Sequence, residues 1–153
     1  VFTTVHANNA FDVIGRFVNM GIEPYNFVSS LNCIMAQRLI RTICHSCKAL
    51  VSVTRRQCEE FDLDYDRHKD QPIYEGKGCV ECHGLGYLGR QAITEFLALS
   101  DSIKALILDR KPTAEIRRTA LLDGMTTLRE AGLEKVLQGQ TTLREMNRIT
   151  FTG

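Results

Sequence analysis

The chain has no tryptophan, few prolines and almost no net charge. Three prolines occur in 153 residues, and nineteen lysines and arginines against eighteen aspartates and glutamates leave a formal charge of +1. This balance, with only 7% aromatic residues, argues against nucleic-acid binding and against an acidic disordered tail. Eleven glycines with three prolines exclude a collagenous or low-complexity chain.

Long apolar runs are also missing. No stretch approaches the roughly 18 apolar residues of a membrane helix, so we expect no transmembrane segment. The opening residues have no basic region followed by an apolar core, so a secretory signal is not indicated. The chain begins at Val1 rather than at a methionine, and we expect it to be a piece of a longer protein. Its 44% hydrophobic content suffices for one core or two small ones.

The first third of the chain predicts a strand and two helices. Residues 1–5 are β-rich and predict a short buried strand. Asn8 or Asn9 can cap a helix that ends at Gly21. Pro24 begins another helix, which has an apolar stripe and carries three polar residues toward its end. A strand can follow near residues 39–43. The stripe is Phe27, Val28, Leu31, Ile34, Met35 and Leu39, and the polar residues are Gln37, Arg38 and Arg41.

The rest of the chain predicts a charged connection and then helices. Residues 48–78 carry scattered charge and indicate a loop or short helix, and the pattern is helical beyond Arg90. Ser100 and Thr113 can cap two helices, the second of which ends near Gly124. The string Thr-Thr-Leu-Arg-Glu occurs twice, and each copy forms a capping box, Thr127 with Glu130 and Thr142 with Glu145. The expected fold class is α+β, mostly α, with a small helical bundle at the end.

Four of the six cysteines form two C-x-x-C pairs, Cys44 with Cys47 and Cys79 with Cys82. Two such pairs can present four thiolates tetrahedrally to one zinc ion, and four thiolates leave no position open for catalysis. The sequence therefore predicts a structural zinc site. Lys48, Lys77 and Arg90 could offset the negative charge of the four thiolates. We expect His45 and His83 to face solvent or to lie behind the ligands. Cys33 is expected to be a small core residue, and Cys58 to have no chemical role.

Two other motifs overlap this site. Residues 79–83 match the C-x-x-C-H pattern of c-type haem attachment, which would leave Cys44 and Cys47 without a role. Residues 84–89 match G-x-G-x-x-G, but a dinucleotide fingerprint follows a strand and opens a helix, whereas this one follows a cysteine pair. These glycines indicate tight turns behind Cys82.

His6 follows the predicted opening strand, where polar groups of an α/β sheet face the ligand crevice. With Thr3, Thr4 and Asn8 beside it, His6 could contact a phosphate. A histidine at the end of a strand can equally have a structural role.

Four motifs, in order, resemble the C-terminal part of the secretion and pilus-assembly ATPases, the family of the type II secretion ATPase and the type IV pilus extension ATPase. Residues 1–10 are similar to its His box, and residues 36–41 to its A-Q-R-L-V-R stretch before the tetracysteine module. Gly86-Tyr87-x-Gly89-Arg90, followed by Glu95, is similar to its G-Y-x-G-R, and residues 124–139 resemble its closing helices. Ala7, Asn9 and Leu85 depart from the usual pattern.

The resemblance implies a cytoplasmic, hexameric ATPase, peripheral at the inner membrane, which uses ATP and magnesium to drive pilus or pseudopilus assembly with a membrane-embedded platform protein. Residues 1–43 would be the distal portion of a RecA-like ATPase domain, 44–90 a tetracysteine zinc module and 91–153 a C-terminal helical subdomain. It also implies a catalytic His6 near the γ-phosphate and nucleotide contacts from Gln37, Arg38 and Arg90. A helix-end ion pair for Arg38 and charge compensation at the cysteines for Arg90 are the structural alternatives.

The chain contains no G-x-x-x-x-G-K-[ST] phosphate loop and no strand that ends in Walker-B carboxylates. We therefore expect this piece alone not to hydrolyse ATP. The alternative is a free-standing zinc module that binds protein, to which the single C-x-x-C-x-G-x-G unit at residues 79–86 also corresponds. A c-type cytochrome fragment is a third hypothesis, which covalent haem absorbance would establish.

Overall fold

The computed structural model describes residues 1–150, which form a mixed α/β protein with eight helices and four strands. The helices are α1 (Ala10–Asn19), α2 (Pro24–Ser30), α3 (Arg55–Glu60), α4 (Tyr65–His68), α5 (Asp101–Leu108), α6 (Thr113–Leu122), α7 (Leu128–Leu137) and α8 (Leu143–Thr150). The strands are β1 (Cys33–Ile43), β2 (Lys48–Val51), β3 (Ile73–Gly76) and β4 (Tyr87–Ala98). Within these residues, no helix combines the length and the hydropathy needed to cross a bilayer.

These elements fall into two compact units. The first consists of Val1–Gln37 and Thr94–Leu128, and the second of Arg38–Ile93 and residues 129–150. β1 and β4 form one two-stranded sheet, and β2 pairs with β3 in another. β1 and β4 each contribute residues to both units. The domain boundaries predicted after residues 43 and 90 refer to a longer protein, and they stay a prediction.

The first unit contains α1, α2, α5 and α6, which pack around one apolar core. Asn9 caps α1, since its side chain accepts the N–H of Asp12. Ser100 caps α5 in the same way through Ile103. The core residues come from all four helices, the start of β1, the end of β4 and the residue that follows β4: Ala10, Phe11, Val13, Ile14, Phe27, Val28, Ile34, Leu97, Leu99, Ile103, Ile107, Ile116 and Ala120.

The second unit has a smaller core beside the two-stranded β2–β3 sheet. A capping box that the sequence analysis did not identify starts α3, because Thr54 and Gln57 satisfy each other's backbone N–H groups. The core joins α3, β3, α7 and α8 through Val53, Cys58, Phe61, Ile73, Val136, Leu143 and Met146. Cys58 is thus a fully buried core residue.

The predicted opening strand is not formed. Residues 1–7 have no regular secondary structure, and Val1 and Phe2 are fully exposed. A strand needs a hydrogen-bonded neighbour, and neither sheet of the described residues provides one for this segment.

The second predicted helix is too long. α2 starts at Pro24 as expected but ends at Ser30, and Cys33–Ile43 is strand β1. Gln37, Arg38 and Arg41 therefore lie on a strand rather than near the end of a helix. The prediction of a strand near residues 39–43 is correct, but β1 begins earlier, because its pairing with β4 outweighs the local helical spacing.

The helical pattern predicted beyond Arg90 begins only at Asp101. Residues 91–98 belong to β4, in which Ile93, Glu95 and Leu97 are buried and the residues between them are exposed. This period of two is the signature of a half-buried strand. The charged connection of residues 48–78 also holds β2, β3, α3 and α4 rather than one loop or helix.

The four C-terminal helices were otherwise predicted correctly. Ser100 caps α5, and Gly124 and Gly139 follow α6 and α7 with positive φ angles of 92° and 67°. Thr113 is the first residue of α6 rather than its cap, a position that Pro112 occupies.

Candidate metal centre

The antiparallel pairing of β2 with β3 brings the two C-x-x-C pairs together. Cys44–Cys47 lies directly between β1 and β2, and the antiparallel register places Lys48 opposite Gly76. The N–H of Lys77 then donates to the carbonyl of Cys47 at 3.0 Å. The chain after β3 therefore runs beside the first pair and carries Cys79 and Cys82 to it.

Glycines allow the backbones around the cysteines to approach closely. A Cβ on Gly76 would lie 2.0 Å from the carbonyl oxygen of Gly86, and one on Gly86 would lie 2.5 Å from that of Gly76. Gly86 also has a φ of +77°, and its carbonyl accepts the N–H of Cys44 at 3.0 Å. A side chain at either position would force apart the two segments that flank Cys79 and Cys82, one of which binds Cys44.

The four sulfur atoms form one cluster, all within 4.8 Å of one another. The Sγ atoms of Cys44 and Cys79 are 3.8 Å apart, as are those of Cys47 and Cys82, and Cys79 and Cys82 are 3.7 Å apart. A tetrahedron with Zn–S bonds of about 2.3 Å has edges of about 3.8 Å. The separations fit a single tetrahedral ion and are far longer than a disulfide bond.

Backbone N–H groups point at two of the sulfurs. Gly78 donates to Sγ of Cys47 at 3.3 Å, and Cys79 and Gly86 both donate to Sγ of Cys82 at 3.2 Å. Such bonds stabilise the thiolate that a metal ion requires.

The pKa values of the clustered thiols diverge. Burial acts to raise the pKa of Cys82, but the N–H groups of Cys79 and Gly86 outweigh it and lower that pKa to about 6. Burial, together with the neighbouring thiols, raises the pKa of Cys47 to about 12. Four adjacent thiols do not ionise together without a cation among them, so the donor set suits a metal ion held by four sulfurs with no open position.

The two histidines beside the cluster are exposed. His45 is 79% exposed, with Nε2 3.7 Å from a carboxylate oxygen of Glu81, and His83 is also exposed, as predicted. Lys48 lies over the ring of Tyr74 at 4.2 Å. Cys33, expected in the core, is exposed on β1, because the stripe that suggested its burial belongs to a strand rather than to a helix.

The predicted nucleotide-site residues occur in both units. His6 is exposed in the segment before α1, and Gln37 is exposed on β1, both in the first unit. Arg38, half-buried on β1, and Arg90, exposed on β4, belong to the second unit. Their roles stay predictions.

The sequence analysis named Glu95 and Glu145 but did not predict that either carboxylate is buried. Glu95 is 4% exposed, and its carboxylate oxygens accept the N–H of Ala10 at 2.6 Å and that of Leu128 at 3.1 Å. In a strand with alternating apolar residues, the position of Glu95 is an inward one and would have predicted its burial. The sequence analysis interpreted residues 91–98 as helical and so did not use this pattern.

Glu145 was predicted only as part of a capping box. The N–H of Glu145 does donate to Oγ1 of Thr142 at 3.1 Å, but its fully buried carboxylate binds Arg41 at 2.6 Å and Arg148 at 2.7 Å. Burial acts to raise the pKa of Glu145, but hydrogen bonds from Arg148 and Arg41 outweigh it and lower the pKa to about 2.

Comparison with known proteins agrees with the motifs. The model of the family described as "Type II/IV secretion system protein" matches residues 1–148. The chain belongs to that family. It is 40% identical over 146 residues to the type IV pilus assembly ATPase PilB of Thermus thermophilus, which covers 95% of this chain and 16% of that protein.

Other relatives of this secretion-family chain include both pilus assembly ATPases and type II secretion proteins. It is 38% identical over 147 residues to PilB of Myxococcus xanthus, covering 95% of the chain and 26% of the relative. It is 35% identical over 150 residues to the type II secretion system protein E of Aeromonas hydrophila, covering 98% and 29%. The chain thus spans between 16% and 29% of the length of these relatives.

Proposed function

We propose that this chain works as the C-terminal part of a motor ATPase that powers type IV pilus assembly or type II secretion. The observation that carries the proposal is the match of residues 1–148 to the secretion family, with relatives named as PilB and as protein E. The full-length protein would hydrolyse ATP with magnesium, as a hexamer on the cytoplasmic side of the inner membrane, against a platform protein. The distal part of a RecA-like domain and a terminal helical part would lie in this chain.

The four-cysteine cluster is proposed to hold one structural zinc ion through Cys44, Cys47, Cys79 and Cys82. The sulfur separations of 3.7 and 3.8 Å and the N–H groups directed at two of the sulfurs support it. A zinc ion bound in this way would cross-link the segment that enters β2 to the segment that leaves β3. It leaves no position for water or substrate, so the ion would have no part in hydrolysis.

The nucleotide-facing residues are proposed to be His6, Gln37, Arg38 and Arg90. His6 is accessible to solvent, as contact with the γ-phosphate requires, and the two arginines carry the charge that binds phosphate. The chain has no phosphate loop of its own, so hydrolysis would depend on the remainder of the motor.

ATPase rates of the full-length motor test this role. His6→Ala is expected to lower kcat about tenfold or more, since removal of a group that stabilises transferring phosphate costs at least that much. His68→Ala, a histidine on α4 of the second unit, is the control and should leave kcat unchanged. Equal rates for the wild type and His6→Ala would contradict the proposed role of His6.

A further inference from the structure

Glu95 is a buried carboxylate in an apolar setting. It lies on β4 between Ile93 and Leu97, which are 2% and 0% exposed, and it shares their inward face. Burial of a carboxylate is costly unless hydrogen bonds compensate it. Among the described residues, no lysine, arginine or histidine forms an ion pair with Glu95, so its compensation comes from elsewhere.

The compensation comes from the starts of two helices. Ala10 is the first residue of α1 and Leu128 the first residue of α7, and each donates its N–H to a different oxygen of Glu95. These N–H groups have no acceptor within their own helices, and the helix dipole adds positive potential there. One side chain thus binds the starts of two helices that are 118 positions apart in the sequence, from Ala10 to Leu128.

The chain before Ala10 is held by short-range bonds to the same helix start. The side chain of Asn9 accepts the N–H of Asp12 at 2.9 Å, and the carboxylate of Asp12 accepts the N–H of Asn8 at 3.2 Å. His6 lies two residues before this turn. The bond from Ala10 to Glu95, which spans 85 positions, ties the turn to β4.

We propose that Glu95 is the positioning residue of His6: it fixes the start of α1, and through the turn of residues 8–12 it holds His6 where it acts on the nucleotide. The inference rests on the proposed role of His6. Glutamine in place of Glu95 keeps the shape but carries no charge and offers one acceptor oxygen instead of two, so both helix starts are held less tightly than by the carboxylate.

The experiment is a double-mutant cycle in the full-length motor, with Glu95→Gln, His6→Ala and both together. Glu95→Gln should lower kcat about tenfold, as expected for the loss of a hydrogen bond to a charged group, and should leave KM for ATP within about twofold. Because Glu95 acts through His6, Glu95→Gln should cause no further loss of kcat in the His6→Ala background.

Two further variants separate positioning from stability. Ala10→Pro removes the donor while leaving Glu95 in place, and the first position of a helix after an extended residue such as Asn9 suits the backbone of proline. Because Ala10 is fully buried, the free energy of unfolding of this variant is measured beside its kcat. Ala10→Pro should reproduce the kcat defect even if Glu95→Gln folds poorly. Glu145→Gln, which removes another buried carboxylate in the second unit, should leave kcat unchanged.

Amide hydrogen exchange provides a readout independent of activity. Glu95→Gln should speed exchange at the starts of α1 and α7 and leave α8 unaffected. Additive losses of kcat in the double variant, or unchanged kcat in both Glu95→Gln and Ala10→Pro, would overturn the inference alone. An unaffected His6→Ala variant would overturn the proposed role of His6 and the inference with it.

Discussion

At the scale of single residues, the two buried glutamates show that one side-chain type can serve different purposes. Glu95 is compensated by backbone N–H groups at helix starts, whereas Glu145 is compensated by the guanidinium groups of Arg41 and Arg148. The capping box predicted that the N–H of Glu145 binds Thr142. It did not predict that either arginine binds the carboxylate. Arg41 is 104 positions away, and no local pattern encodes a pair so far apart.

Acid should weaken the chain through Glu145. Its pKa falls from 4.5 to about 2 on folding, so its contribution to stability is complete above about pH 4.5 and is lost as the pH falls toward 2. Glu145→Gln should lower the free energy of unfolding by about 2 kcal/mol at pH 7, because both arginines lose a charged partner but keep access to water.

Urea unfolding at several pH values measures this effect. The difference between the wild type and Glu145→Gln should shrink between pH 4.5 and pH 2. Glu134→Gln, on the exposed side of α7, should change the free energy of unfolding by less than about 0.5 kcal/mol at any pH. A difference that stays constant on acidification would show that the charge of Glu145 does not act as described.

At the scale of elements, local signals predicted helices better than strands. The caps Asn9 and Ser100 and the glycines that follow α1 and α6 act within a few residues, so the sequence shows where these helices begin and end. β1 and β4 depend on each other across more than forty residues of intervening chain, which left their apolar residues open to a helical interpretation.

The cysteine pairs were predictable for the opposite reason. Metal-ligand spacing is a local property of each C-x-x-C pair, and four thiols of this kind have few other uses. The close contact of Gly86 with the segment before the second pair was predicted only as tight turns. Its partner, Gly76, lies in a segment interpreted as a loop or short helix.

Gly86→Ala tests the glycine contact. The new Cβ would lie 2.5 Å from the carbonyl oxygen of Gly76 at a φ of +77°, so we expect a loss of about 2 kcal/mol or more in the free energy of unfolding, and weaker metal binding. Gly15→Ala is the control, since a Cβ there meets nothing within 4 Å inside α1. It should raise stability by about 0.5–1 kcal/mol. Thermal unfolding and a zinc competition assay give both values, and an unaffected Gly86→Ala variant would contradict the role of the contact.

At the scale of the whole molecule, the chain has two cores and one sulfur cluster. Among residues 1–150, the first unit buries thirteen core residues from four helices, β1, β4 and the residue after β4, whereas the second buries seven and also contains the four clustered cysteines. A small core supplies little stability by itself, and structural zinc supplies roughly 10–16 kcal/mol in small peptides. The second unit should therefore depend on metal far more than the first.

Cys79→Ser should reduce the zinc content from one ion per chain to none. Hydrogen exchange should then speed up in the second unit, between β2 and β4, while α1, α2, α5 and α6 stay protected. Cys33→Ser, which changes an exposed cysteine outside the cluster, should retain the ion. Full zinc content in Cys79→Ser, measured by mass spectrometry of the metal, would contradict the proposed ligand set.

The exposed position of Cys33 makes this chain easy to label. The clustered thiols would be bound to the ion and Cys58 is fully buried, so we expect a maleimide dye added to the zinc-loaded protein to react with Cys33 on β1. A fluorophore can thus report on this strand in the native sequence, with no engineered attachment point.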